Sequence, residues 1–217
     1  NNVLANVPDI NDFVRGLKLV LKDNGVITLE FPRLLNLINE CQFDTIYHEH
    51  FSYLSLITVK KIFEYHGLLL FDVEELSTHG GSLRIYAKHK ENDSHKITSN
   101  IGALLKKEID FGLGNVNSYK NFQPRAESIK YDLLTFLIQN KKNNKRTIGY
   151  GAAAKGNTLL NYCGIKGTDL ISFVVDASPH KQNKYLPGSH IPILEKGEII
   201  RFKPDYIIIF PWNIKEE

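Results

Sequence analysis

An α/β fold in two units, both of the doubly wound kind, is the reading that this sequence favours. Three observations predict it. Short β-branched and apolar runs alternate with amphipathic stretches. A polar, charged segment at 88–96 interrupts that alternation. A glycine loop, Gly149-Tyr-Gly-Ala-Ala-Ala-Lys-Gly156, then lies between a predicted strand and a predicted helix. The first unit reads β-α-β-α-β-β, the second half of a doubly wound sheet. The expected bounds are 1–95 for this unit, 96–145 for a helical connector and 146–217 for a small α/β unit.

Asn2-Val-Leu-Ala-Asn-Val7 has the apolar content of a short strand end. Asp9 or Asn11 then offers a helix cap, and Phe13, Leu17, Val20 and Leu21 follow at helical spacing, which predicts a helix over 10–21. Asp23-Asn-Gly25 stops it. Val26 to Phe31 reads as a strand of a parallel sheet covered on both faces. Residues 34–41 read as a short helix or coil, 58–66 as an amphipathic helix with Val59, Ile62 and Phe63 inward, and 68–76 as a strand. A turn at Ser77-Thr-His-Gly-Gly81 and a strand over 82–87 complete an antiparallel pair at the sheet edge. Helical patterns at 97–112 (Leu104, Leu105, Ile109) and 122–140 (Ile129, Leu133, Leu134, Leu137) form the connector. Then come strand 147–150, helix 158–163, strand 170–175 ending at Asp176, a polar loop over 178–192, a helix near 196–202 and the apolar strand Tyr206-Ile-Ile-Ile-Phe210.

Hydrophobic content of 42% and charge of 24% are those of a soluble globular protein. A net charge of +3 is too small to imply nucleic acid as partner, and lysines cluster only in short runs such as 141–146. Cys41 and Cys163 lie far apart and match no metal spacing, so a reduced, cytoplasmic protein is the default. No apolar run approaches the roughly 20 residues that span a bilayer. No methionine occurs, and the opening Asn1-Asn2-Val3-Leu4 reads as the middle of a strand or its exit. A portion of a longer protein is the expectation.

Asp44-Thr-Ile-Tyr-His-Glu-His-Phe-Ser-Tyr53 carries the densest chemistry. Asp44, Tyr47, His48, Glu49 and His50 crowd it, and no periodic apolar face accounts for them. Imidazole titrates near neutral pH, a neighbouring carboxylate can orient it, and aromatic walls exclude water. Such a set suits moving a proton to or from carbon or oxygen. A polar loop with satisfied histidines is the plainer alternative. His48 and His50 also have a spacing open to a metal, but no third ligand is evident.

In the glycine loop, Gly149, Gly151 and Ala154 fit G-x-G-x-x-A, with Tyr150 between the glycines. Glycines there admit a phosphate to the backbone, the helix start offers N–H groups, and Lys155 adds charge. Asp176 stands where a ribose-binding carboxylate would. The plainer alternative is a tight turn with small residues for packing. His79, Ser82 and Arg84 could flank a pocket or form a hairpin turn. Asn157 caps a helix or meets ligand; Lys181, Tyr185 and His190 line the mouth of the second unit or decorate a loop. Trp212 and Asn213 follow the last strand, where open sheets place ligands.

Asn2-Val-Leu-Ala, Phe43 to Tyr53, Thr78-His-Gly-Gly-Ser-Leu-Arg84, Gly149 to Thr158, Pro187-Gly-Ser-His-Ile-Pro192 and Pro211-Trp-Asn213, in this order, resemble the nucleotide-sugar C-methyltransferases. The resemblance implies S-adenosylmethionine-dependent methylation at C3 of a 4-keto-deoxysugar nucleotide, in deoxysugar biosynthesis. It also implies three parts: an N-terminal zinc-binding domain, a class I methyltransferase domain and a C-terminal Rossmann-like domain that helps hold a nucleotide-diphosphate sugar. Only the second half of the methyltransferase domain and the C-terminal domain correspond to this chain. The zinc cysteines and the adenosylmethionine loop do not. By resemblance, His50 supported by Glu49 is the base, Tyr47 orients the sugar or stabilises the enolate, and the loop with Lys155 binds the diphosphate. His48, His79, Ser82, Arg84 and the second-unit residues named above are then substrate contacts. Asn6 stands where relatives commonly have His, so no role passes to it. A nicotinamide-dependent oxidoreductase using the glycine loop and Asp176, and a non-catalytic sugar-nucleotide-binding module, remain the alternatives.

Overall fold

The computed structural model describes residues 2–215. Asn1, part of the expected opening strand, lies outside them. The chain divides into two compact units. Asn1–Cys41 with His48–Asn121 forms the first, and Gln42–Tyr47 with Phe122–Glu217 the second. The stretch expected as a separate connector is therefore shared between them.

In the first unit, Leu4–Asn6 is a 3-10 turn where strand was expected. Its Leu4 and Ala5 are buried, so the apolar content was rightly read as core but in the wrong backbone form. Helix α1 (Ile10–Val20) is capped by Asp9, whose carboxylate accepts from the Asp12 N–H. It buries Val14 and leaves Val20 largely exposed. Strand β1 (Ile27–Pro32), helix α2 (Leu34–Asn39), helix α3 (Leu56–Tyr65) and strands β2 (Leu68–Leu76) and β3 (Ser82–His89) follow, then helix α4 (Ser99–Phe111).

The sheet order is β1-β3-β2, with β3 antiparallel to both neighbours. The hairpin strand is thus inserted between β1 and β2 rather than added at an edge. Antiparallel pairing explains why β1 alternates instead of reading as uniformly apolar. Ile27, Leu29 and Phe31 join Leu83, Ile85 and Ala87 in the core with Val59, Phe63 and Leu104. The opposite face carries a cross-strand charge ladder, Glu30–Arg84–Glu74, with Arg84 Nη2 donating to Glu30 at 3.0 Å.

After the Gln42–Tyr47 segment, the second unit resumes with α5 (Phe122–Lys142). Strand β4 (Thr147–Tyr150) and helix α6 (Ala154–Cys163) come next. The remaining elements are β5 (Val174–Val175), β6 (Lys184–Tyr185), β7 (Pro192–Leu194), α7 (Glu198–Phe202) and β8 (Tyr206–Ile209). The sheet order is β6-β7-β5-β4-β8; β4, β5, β7 and β8 are parallel and β6 is antiparallel to β7. Leu137 and Leu160 pack with Ile171, Val174 and Phe210 in one core cluster, while Ile148, Phe173 and Val175 meet Ile199 and Phe202 in another. Strand was expected from Leu170. The assigned strand is shorter, yet Ser172 N–H still donates to Thr147 O and Gly149 N–H to Phe173 O, so the pairing runs further than the label. Strand β6 lies within the stretch expected as loop, and β7 begins at its last residue, Pro192. Among the described residues no helix is long and apolar enough to cross a membrane.

Candidate functional site

The backbone around His50 is fastened on both sides. Phe51 and Ser52 N–H both donate to Ala5 O, at 2.8 and 3.1 Å, which ties the stretch to the Leu4–Asn6 turn. Five residues beyond His50, Ser55 caps α3, its hydroxyl accepting from Thr58 N–H. The Glu108 carboxylate, wholly buried on α4, also accepts from Leu56 and Ile57 N–H at 3.0 Å each. Buried Arg33 stands beside it, Nε to Oε1 at 3.9 Å, and also pairs with Glu75. A helix start with its N–H groups satisfied by a carboxylate is electrostatically matched. His50 is half-buried, with its ring edge-on to Tyr53 at 6.0 Å and 88°. His48 and Glu49 are exposed. Tyr47 is half-buried and belongs to the second unit. Among the described residues no group of three or more His, Cys, Asp or Glu is placed to hold a metal ion.

His79 sits in the Thr78–Gly80 turn with φ of 57° and its Nε2 is 2.9 Å from Asn2 Nδ2. Ser82 is buried and donates its hydroxyl to Thr78 O, and Arg84 is engaged in the charge ladder. Thr78 Oγ1 donates to Glu30 at 2.7 Å. That hydrogen bond, with Arg84 adding to it against the opposing effect of burial, holds the Glu30 carboxyl below its ordinary value.

In the second unit, the small residues of the glycine loop serve packing, the plainer of the two alternatives. A Cβ at Gly149 or Gly156 would run into the Phe210 side chain, so these glycines make room for that ring. Gly151, with φ of 85°, turns the chain beside Pro211, whose Cδ lies 2.6 Å from where a Cβ would stand. Helix α6 starts at Ala154, four residues before the expected start, and this puts Lys155 and Asn157 in its first turn. Asp176 spends its oxygens on backbone: Oδ2 accepts from Ala152 N–H at 2.7 Å and Oδ1 from Ser178 N–H at 2.8 Å. Lys181 Nζ donates to Ala152 O and stands 3.5 Å from Asp176.

Six of the predicted second-unit residues gather in two places. Asn157, Lys181 and Tyr185 line a cavity of about 330 Å³ with Ala152–Ala154 and an apolar floor of Leu186 and Ile193. Lys155, Trp212 and Asn213 form a separate cluster, to which Asp44 is added. Lys155 Nζ donates to Asn213 Oδ1 at 2.7 Å and lies 4.4 Å from the Trp212 ring centre. Trp212 Nε1–H donates to Asp44 Oδ2 at 2.6 Å. Burial pushes the Asp44 carboxyl up and the Lys155 ammonium down, while each charge offsets part of the other's shift. Tyr150 is partly exposed at the end of β4, and His190 is exposed in a tight turn with φ of 55°. Two contributors escaped the sequence reading. Glu108 was not singled out, and Asp44 was noticed in its crowded stretch but given no role.

Residues 77–217 match the family model described as the C-methyltransferase C-terminal domain. The chain belongs to the C-methyltransferase family and corresponds to its C-terminal portion. Among relatives, it is 36% identical over 213 residues to the C-methyltransferase NovU of Streptomyces niveus, which covers 98% of this chain and 50% of that protein. The chain thus spans about half the length of the relative it matches.

Proposed function

We propose that the polypeptide to which this chain belongs methylates C3 of a 4-keto-deoxysugar nucleotide, with His50 as the base. What carries this reading is the similarity over nearly the whole chain to a C-methyltransferase, together with a half-buried imidazole on backbone fastened at Ala5 and at the start of α3. The chemistry is consistent with the residues. A ketone at C4 acidifies the neighbouring C3–H. An imidazole nitrogen of His50 takes that proton, and the C–H electron pair is delocalised onto the C4 oxygen as an enolate, leaving C3 nucleophilic. Tyr47 is suited to orient the sugar or to donate to the enolate oxygen. Lys155, in the first turn of α6, supplies a cation for the diphosphate.

The methyl group would come from a sulfonium donor of the S-adenosylmethionine class, and the residues named here act on the proton and the substrate.

Thermal shift on the 217-residue chain separates this reading from the nicotinamide alternative. A thymidine or uridine diphosphate at a hundred times its dissociation constant stabilises by about 2.7 kcal/mol, and Lys155→Ala is expected to remove most of the shift. A larger shift with NAD, insensitive to Lys155, would favour the oxidoreductase reading.

A further inference from the structure

We infer that the cavity between the start of α6 and the 180–187 loop takes the nucleoside end of a nucleoside diphosphate, and takes it without reading the 2′-hydroxyl. The inference rests on the reading above, in which the substrate is a sugar nucleotide.

The cavity lies wholly in the second unit, and its walls are fastened. Asn161, one turn along α6 from Asn157, donates its Nδ2 to Pro187 O at 3.0 Å. Gln182 Nε2 donates to Asp176 O at 2.9 Å, and Leu186 N–H to Ile191 O at 2.9 Å. Its volume of about 330 Å³ is near the lower bound for small-molecule sites, which suits a base with its pentose and is small for a dinucleotide. The floor of Leu186 and Ile193 is buried and apolar, so it favours a body with little charge. Tyr185 is 64% exposed and has no ring partner among the described residues, so its ring is available to stack on a base. Asn161 Nδ2 lies 3.3 Å from Asn157 Oδ1, which leaves the Asn157 Nδ2 donor for an acceptor on the base edge. The rim is cationic. Lys181 and Lys184 line it with His180, and among the described residues no Asp or Glu does. Lys181 is engaged with Ala152 O, whereas the Lys184 ammonium has no anionic partner among the described residues and is free for a phosphate. An anion that carries a flat, mostly apolar body with a hydrogen-bonding edge is a nucleotide. Ala154 lines the cavity and Lys155 follows it in the first turn of α6, so one ligand reaches both. Asp176 explains the indifference to the pentose. A carboxylate in that place reads ribose hydroxyls in dinucleotide-binding units. Here both its oxygens accept from backbone N–H groups, and Lys181 stands beside them. No carboxylate is left for a 2′-hydroxyl.

Titration calorimetry on the complete natural polypeptide tests this with three probes: thymidine diphosphate, 5-methyluridine diphosphate, which adds only the 2′-hydroxyl, and inorganic pyrophosphate. Tyr185→Ala is expected to weaken thymidine diphosphate about tenfold and to leave pyrophosphate within about twofold. Tyr185→Phe keeps the ring and should bind as the wild type does. Lys184→Ala should weaken thymidine diphosphate and pyrophosphate alike, by about tenfold. The two nucleotides should bind the wild type within about threefold of each other. Tyr185 and Lys184 are both exposed, so these substitutions leave the core untouched. The inference is overturned if Tyr185→Ala or Lys184→Ala binds thymidine diphosphate as tightly as the wild type. It is also overturned if Tyr185→Ala loses pyrophosphate as well, or if the two pentoses differ by about tenfold or more. Lys155→Ala separates the two proposals. If it loses thymidine diphosphate while Tyr185→Ala and Lys184→Ala keep it, only the cavity assignment fails. If the wild type binds neither nucleoside diphosphate, the sugar-nucleotide reading fails with it.

Discussion

Removing the Glu108 carboxylate should strip the start of α3 of its acceptors and leave a buried cation short of a partner. In Glu108→Ala, Leu56 N–H loses a buried and Ile57 N–H a part-buried 3.0 Å hydrogen bond. Each orphaned donor costs about 1–3 kcal/mol. Arg33, buried and with Nε and Nη2 otherwise without a hydrogen-bond partner, loses the carboxylate 3.9 Å away and keeps Glu75. These effects overlap, because one cavity and one relaxation serve all of them. A total of about 3–5 kcal/mol is expected, the range for breaking a buried charge pair. With a urea slope of about 2 kcal/mol/M, the unfolding midpoint falls by about 1.5–2.5 M. Glu108→Gln keeps one acceptor oxygen and should lose about half as much. Circular dichroism gives the midpoint, and amide exchange at Leu56 and Ile57 gives the local effect. Because α3 follows the His50 stretch directly, C3 exchange should fall as well. A midpoint within about 0.3 M of wild type, with protection at Leu56 and Ile57 unchanged, would refute the capping role.

Gly149→Ala drives a methyl into Phe210 and Val174 and should destabilise by about 1–3 kcal/mol, read as a lower melting temperature. A neutral effect would mean that the space is not closed. Thr78→Val removes the hydrogen bond that lowers the Glu30 pKa. A depressed folded pKa stabilises above the unfolded value and is lost as pH falls through the folded one. The wild-type advantage, about 1.5 kcal/mol at pH 7, should therefore vanish in acid; an advantage constant with pH would contradict the assignment.

Legibility followed the range of the forces. Strands β2 and β4 were read to the residue, because a local apolar run ends at Gly67 or at a glycine loop. Helix α3 was found from Val59 and Phe63, whose spacing records their burial. Where residues outside the segment decide, the reading failed. Ile109 fitted the expected apolar stripe of α4, yet it is exposed and Glu108 is the buried neighbour, since backbone N–H groups of α3 call for a carboxylate there. Strand β7 is three residues long and exists because β5 and β6 pair with it. The early start of α6 was masked by a glycine pattern that reads as phosphate loop and packs as a seat for Phe210. The stretch around His50 stands out in the sequence by its density of titratable side chains. The Asp44–Trp212 bond joins residues 168 positions apart and left no local trace.

The most direct test of the His50 assignment is hydrogen exchange at the substrate itself. The complete natural polypeptide is incubated in deuterium oxide with a 4-keto-deoxysugar nucleotide and no methyl donor, and C3 is followed by proton NMR. The wild type should replace the C3 proton with deuterium, and His50→Gln should slow that replacement by about 100-fold or more. Equal rates in the two proteins would contradict the assignment of His50 as the base.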